Sequence, residues 1–157
     1  DNSGKNALYY MCHEEGDPSI ESIKLLIKSN INVNQTDNTS KNVLHFICKY
    51  FKEPFLYIKL LINAKININY IDYDGENALD YLCSKINNKI GFYLNRNRSG
   101  RTVFDHEFFE KIKPYIECVK LLINSKIKIN IENNSTKNVI KVLHQSESQI
   151  DCSDEFM

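Results

Sequence analysis

Thiols, imidazoles and guanidinium groups are the side chains here with chemistry to offer, and their spacing decides which kind. The five cysteines, Cys12, Cys48, Cys83, Cys118 and Cys152, contain no Cys-x-x-Cys pair and recur at intervals near one another. An odd count so widely spaced reads as the reduced thiols of a cytosolic or nuclear protein, not as a disulfide framework. His13, His45, His106 and His144 have no Cys or His partner at metal-ligand spacing, so no metal site is expected. No Ser-His-Asp or Cys-His arrangement sets a nucleophile beside a base, so the sequence names no catalytic residue, no cofactor and no enzyme. Asp105, Glu107 and Glu110 form a local acidic group, as the solvated face of an amphipathic helix does.

The most individual feature is basic and aromatic. From Tyr81 to Phe104 there is no acidic residue, while Lys85, Lys89, Arg96, Arg98 and Arg101 fall there, and these three arginines are the chain's only ones. Phe92, Tyr93 and Phe104 are interleaved, with Phe108 and Phe109 close behind. Clustered Arg with Tyr and Phe is the composition of protein-interface hot spots. The same mixture binds polyanions such as single-stranded RNA, and a surface insertion with no role is tolerated cheaply. No RNP, KH or Gly-rich phosphate motif accompanies it, so nucleic acid is the least supported of the three readings.

These side chains must be placed by repeats. Residues 1–12 (DNSGKNALYYMC), 37–48 (DNTSKNVLHFIC), 72–83 (DYDGENALDYLC) and 133–144 (NNSTKNVIKVLH) align without gaps. A second signature follows three of them: residues 23–34 (IKLLIKSNINVN), 58–69 (IKLLINAKININ) and 119–130 (VKLLINSKIKIN). Self-similarity at this period marks a stacked-repeat architecture. Leu8, Met11 and Cys12 give the i, i+3, i+4 spacing of one helical face, repeated by Leu44, Ile47 and Cys48 and by Leu79, Leu82 and Cys83. Ile23, Leu26 and Ile27, then Ile58, Leu61 and Ile62, do the same for a second helix. Pro18, Pro54 and Pro114 each fall four or five residues before the Ile or Val that opens the second signature. Proline is favoured at the first helical position, so the three prolines are expected to start the second helix of every full repeat.

The pattern resembles the ankyrin repeat, a β-turn plus two helices with a T-P-L-H-x-A core. Here the core reads Asn6-Ala7-Leu8-Tyr9, Asn42-Val43-Leu44-His45 and Asn77-Ala78-Leu79-Asp80. Asn stands where Thr is usual. The glycine that commonly ends the second helix is Asn30, Lys65 and Lys126, a substitution that costs on the order of 1 kcal/mol at a left-handed cap. The resemblance covers residues 1–83 and 114–144. It implies an all-α solenoid of helix-turn-helix units joined by β-hairpin turns. Repeats are expected at about 1–36, 37–71 and 72–132, the last carrying an insertion over 84–113. A partial capping repeat at 133–144 and an acidic tail at 145–157 complete the chain. The insertion reads as an exposed basic loop at about 87–101 followed by a short helix at 103–112, opened by a capping box from Thr102 to Asp105. The tail either finishes a polar capping repeat or is disordered.

A curved stack of this family binds proteins on its concave face, so candidate partner-binding residues are Asn2, Ser3, Asn38, Thr39, Tyr73 and Asp74 at the hairpin tips. Tyr10, Phe46 and Tyr81 share one position in successive first helices, about 200° from the core leucine's direction, and would form an aromatic ladder behind them. Packing between neighbouring first helices is the alternative for that position. Val142 ends the ladder in the last repeat.

Bulk composition bounds the rest. Twenty basic and twenty acidic residues in 157 cancel, leaving no global field toward nucleic acid or an anionic membrane. No apolar run approaches the roughly 20 residues that span a bilayer. The start has no initiator Met and falls at a repeat boundary, which suggests a piece of a longer protein. A bias to Asn, Ile and Lys points to an AT-rich genome, such as that of an intracellular bacterium, a protist or a large DNA virus, and so to a host-directed effector. The sequence thus describes an intracellular, monomeric protein-interaction module. A polyanion-binding insertion and a structural spacer remain its alternatives.

Overall fold

The computed structural model describes residues 4–13, 18–96 and 106–150, with the side chains of 94–96, 106–107, 142 and 144–150 outside that description. Seven helices follow one another among the described residues: α1 (Ala7–His13), α2 (Ile20–Lys28), α3 (Val43–Tyr50), α4 (Phe55–Asn63), α5 (Ala78–Arg96), α6 (His106–Asn124) and α7 (Asn134–Ile150). Each first helix packs on the second helix of its own unit. The row α1, α3, α5, α7 stacks in order, as does the row α2, α4, α6. A helix-turn-helix solenoid results, and an isolated antiparallel bridge between Thr36 and Asn42 closes one hairpin turn.

The apolar periodicity becomes the core. Leu8, Cys12, Leu44, Ile47, Cys48, Leu79, Leu82 and Cys83 are all buried on the first-helix side of one continuous cluster. Ile23, Ile58, Leu61, Cys118, Val119 and Leu122 face them from the second helices. Tyr57 ties the second row together by donating its hydroxyl proton to the Pro18 carbonyl at 2.6 Å.

Each second helix ends in the left-handed residue that the sequence position requires. Asn30, Lys65 and Lys126 have φ of 59°, 65° and 66°. The N–H of each reaches a carbonyl three residues back, at Ile27, Ile62 and Ile123. The next N–H reaches the carbonyl of Leu26, Leu61 or Leu122. This is the doubly bonded Schellman termination, normally built on glycine.

Three expectations are corrected. The stretch at 87–101 does not begin as a loop: α5 runs unbroken to Arg96. Leu79, Leu82, Ile86, Ile90 and Tyr93 keep a helical apolar phase past the usual repeat end, and Ile86 is fully buried with Ile90 packed on the core. Nor is the short helix expected over 103–112 a separate one where the described residues resume at His106. Residues from His106 join the second helix of the repeat in the single helix α6, with Pro114 inside it. An interior proline forfeits one backbone bond and crowds the preceding turn. Here Phe108, Ile112, Tyr115, Val119 and Leu122 are buried along one stripe that crosses the proline, and that shared burial carries the helix through. Pro18 and Pro54 keep the role of helix openers, though both lie just ahead of the helix: Ser19 and Pro54 occupy the N-cap positions of α2 and α4 without a side-chain capping bond. Finally, position 145 is no boundary, because α7 continues to Ile150. The capping box expected from Thr102 to Asp105 and the tail beyond 150 lie outside the described residues.

The left-handed lysines give a direct stability test. Lys65→Gly and Lys126→Gly should each raise the unfolding free energy by about 1 kcal/mol, since glycine adopts this conformation without a Cβ clash. Denaturant titration with an unchanged slope would show it. Loss of stability in both variants would refute the strain.

Candidate functional site

The surface that a partner can reach is set by how each first helix starts. Asn6, Asn42, Asn77 and Asn133 all accept backbone N–H bonds through Oδ1. Asn6 takes the N–H of Tyr9, Asn42 those of Leu44 and His45, Asn77 those of Leu79 and Asp80, and Asn133 those of Ser135 and Thr136. These are N-caps, satisfying donors that the helix leaves unpaired. The Nδ2 groups of the first three point the other way. They donate to the carbonyls of Asn32, Asn67 and Lys128 beyond the second helix of the same repeat, at 2.8, 3.2 and 2.8 Å. One amide therefore starts the first helix and fastens the exit of the second.

The residue three positions on reaches the neighbouring unit at Tyr9 and Asp80, and the end of its own unit at His45. Tyr9 donates its hydroxyl proton to Asp37 at 2.8 Å. His45 accepts the Asn42 N–H at Nδ1 while its Nε2 lies 3.1 Å from the Tyr70 carbonyl. That geometry fits the tautomer protonated at Nε2. Burial lowers the His45 pKa, against the pull of Asp72, and so favours the neutral ring. Asp80 accepts from the Asn77 N–H and from the Thr136 hydroxyl.

The hairpin aspartates organise the tips. Asp37 Oδ1 accepts from the Thr39 N–H, the Thr39 hydroxyl and the Lys41 N–H. Asp72 Oδ1 accepts from the Asp74 and Glu76 N–H groups, and its Oδ2 accepts from the Tyr81 hydroxyl at 2.7 Å. Lys41 of the preceding repeat reaches Asp72 at 3.1 Å and Asp74 at 3.3 Å. Burial opposes charge on both hubs, yet the bonds from Tyr81, Glu76 and Lys41 at Asp72, and from Thr39, Lys41 and Tyr9 at Asp37, hold their carboxyls below the ordinary value. The tip backbones meet as well, the Tyr73 N–H donating to the Thr39 carbonyl.

On this frame the expected site residues separate. Asn38, Thr39, Tyr73 and Asp74 are exposed along the tips, with Tyr73 77% accessible. Tyr10 is 42% exposed and Phe46 half-buried against the rings of Tyr9, His13, Tyr50 and Phe51. Tyr81 is only 8% exposed, its hydroxyl held by Asp72 and its ring edge-on to His45. The three positions of the ladder therefore sit at three depths, and Tyr81 packs between first helices. Asn2, Ser3, Arg98 and Arg101 lie outside the described residues. Arg96 is the last residue of α5, with its side chain outside them.

The long third repeat adds a feature not anticipated. α5 has 19 residues against 8 in α3, so it outruns its neighbour by roughly 16 Å at 1.5 Å per residue. Where α3 stops, a hollow of about 960 Å³ opens between the end of α3, the far half of α5 and the start of α6. Lys49, Lys85, Lys89 and Lys111 line it, together with Tyr50, Phe92 and Phe108. The acid-free stretch of sequence pointed here, but its lysines sit on a helix rather than a loop.

The described thiols are not poised as nucleophiles. Cys12, Cys48, Cys83 and Cys118 are free and buried. Burial pushes the thiols of Cys12, Cys83 and Cys118 up to about 12 and raises Cys48 as well, so they stay protonated at neutral pH. Among the described residues no helix is long and apolar enough to cross a membrane, and no group of three or more His, Cys, Asp or Glu side chains could hold a metal ion.

A family model described as ankyrin repeats (3 copies) matches residues 8–100. No curated protein matches the chain.

The hub carboxylates predict an acid response. A depressed carboxyl pKa stabilises the fold above the unfolded-state value, about 3.9, and that contribution is lost as pH falls through the folded value. Stability should therefore drop steeply below about pH 4. Asp72→Asn should cost about 2 kcal/mol at pH 7 by removing the charged acceptor shared by Tyr81 and Lys41, Lys41 keeping Asp74, with a shallower acid slope. Equal slopes for the two proteins would remove Asp72 from the acid transition.

Proposed function

Because the chain belongs to the ankyrin-repeat family, whose repeats are general protein–protein interaction modules, we propose that it binds a partner protein through its concave face and hairpin tips. The observation carrying this reading is Tyr73, 77% exposed at a tip whose backbone is pinned by Asp72 and Thr39. A large aromatic side chain held out on a rigid turn gives contact area at small entropic cost on binding. Asn38 and Thr39 extend that edge to the preceding turn, and Tyr10 and Phe46 lie behind it. The partner-binding set on this reading is Asn38, Thr39, Tyr73, Asp74, Tyr10 and Phe46, with Asn2 and Ser3 added from the sequence alignment of the repeats. The four buried free thiols support a reducing compartment. The role is binding rather than catalysis, and a host-directed target would fit the composition.

Affinity capture from eukaryotic cell lysate, read by mass spectrometry, tests the reading. A partner of the intact chain should be lost by at least tenfold with Asn38→Ala/Tyr73→Ser. It should be retained by Lys59→Ala, an exposed change on the α4 side. A partner indifferent to the tip variant but lost with Lys59→Ala would place binding on the other face and overturn the proposal.

A further inference from the structure

We infer that the hollow beyond the end of α3 is a docking site for an acidic segment of a partner protein that carries an aromatic or large apolar side chain. The inference rests on the protein-binding reading and gives the partner a chemistry. The volume of about 960 Å³ lies in the range of formed binding pockets, enough for two or three side chains. Among the described residues, four lysines line it against one carboxylate, Glu76. The whole chain carries no net charge, so this excess is a local concentration.

How those lysines are held matters as much as their number. Elsewhere, Lys24, Lys41, Lys113 and Lys120 each meet a carboxylate within 4 Å. Among the described residues, Lys49 and Lys89 meet aromatic faces instead. The Lys49 ammonium lies 5.2 Å from the Tyr50 ring centre and 5.3 Å from that of Tyr81, and the Lys89 ammonium 5.1 Å from that of Tyr115. A ring restricts an ammonium group without neutralising it, so an incoming carboxylate finds the cation already positioned. Lys85 is anchored on the Phe51 carbonyl and over Tyr115. Apolar surface completes the site, since Phe92 is 72% and Tyr50 56% exposed at its mouth. Covering such rings is the usual source of interface energy.

The observations favour a peptide over a nucleic acid. A phosphodiester chain needs an unpaired basic track. The adjoining hollow, about 250 Å³, shares Lys49, Tyr50 and Tyr81 with this one and adds Lys5, Lys41 and Asp37, but there the Lys41 charge is already met by Asp72 and Asp74. A recess closed at one side by α6 suits a few carboxylates around one ring.

The full chain would be panned against a phage library of random 12-residue peptides, and enriched sequences remade as labelled synthetic peptides. Enriched peptides should carry at least two Asp or Glu around an aromatic residue, Leu or Met. They should bind at least tenfold more weakly to Lys49→Glu/Lys89→Glu and to Phe92→Ser, whose exposed site keeps the test valid if the charge variant fails to fold. Lys28→Glu/Lys59→Glu, the same charge change on exposed positions of α2 and α4, should leave their affinity unchanged. No enrichment, enrichment without acidic bias, or indifference to the groove variants would overturn the inference. Peptides lost only with Asn38→Ala/Tyr73→Ser would overturn it while sparing the tip-binding proposal, and peptides indifferent to both sets would sink both. Labelled random 20-nucleotide RNA, bound in place of acidic peptides and released steeply by salt, would replace the peptide with a nucleic acid.

Discussion

Everything in this solenoid hangs on an asparagine side chain used in two directions. At Asn42 and Asn77 the amide oxygen caps the first helix while the amide nitrogen holds the segment leaving the second. A hydroxyl at that position carries donor and acceptor on one atom with a shorter reach. The amide separates the two functions, so one side chain can face a helix terminus and a distant carbonyl together. Both residues are buried, where a lost partner costs the full desolvation of the group left behind. The angle between the helices of a repeat is therefore fixed by polar bonds as well as by packing. A second set of asparagines links one repeat to the next: Asn34 accepts from the Asn67 N–H and Asn69 from the Lys128 N–H, each at 2.6 Å.

That regular frame makes the long third repeat consequential. Each first helix starts at an asparagine, so helices of different length are aligned at their starts and uneven at their ends. α3 stops after 8 residues, α5 continues to 19 and α7 to 17. One side of α5 is covered by α7 for much of its length, and the other is uncovered past Tyr50. The hollow is the direct result. Phe108 and Ile112 of α6 pack beneath it, which is why the extra residues ahead of Pro114 extend a helix instead of forming a separate one.

Much of this was legible in the sequence. The repeat period, the core leucines and cysteines, and the left-handed positions at Asn30, Lys65 and Lys126 all follow from local rules of spacing and capping. The length of α5 was written in Leu79, Leu82, Ile86, Ile90 and Tyr93 but masked by Asn87, Asn88 and Gly91, all weak helix formers. Burial on α6 overrides that weakness. Pro114 misled for the opposite reason: a strong local signal for a helix start yields to an apolar stripe that runs across it. The depth of Tyr81 needed a partner nine residues away, Asp72, whose carboxylate draws the hydroxyl inward. Several asparagines counted in the compositional bias also serve as caps and ties, roles that a count of residue types does not reveal.

The same polar junction also governs the walls of the hollow. Lys41 belongs to the second repeat, Asp72 and Tyr81 to the third, and their bonds fix where α3 lies against α5. Tyr81 lines the hollow with its ring while its hydroxyl closes that junction. Repeat proteins transmit stability only between neighbours, so a boundary of this kind is where such an array could otherwise flex. A buried, fully bonded carboxylate makes the separation of the two helices a property of the fold rather than of whatever enters between them. Tight binding needs that condition, because walls held in place before contact lose little freedom on closing around a partner. The residues that hold the repeats in register are, through Tyr81, the residues that keep the hollow open.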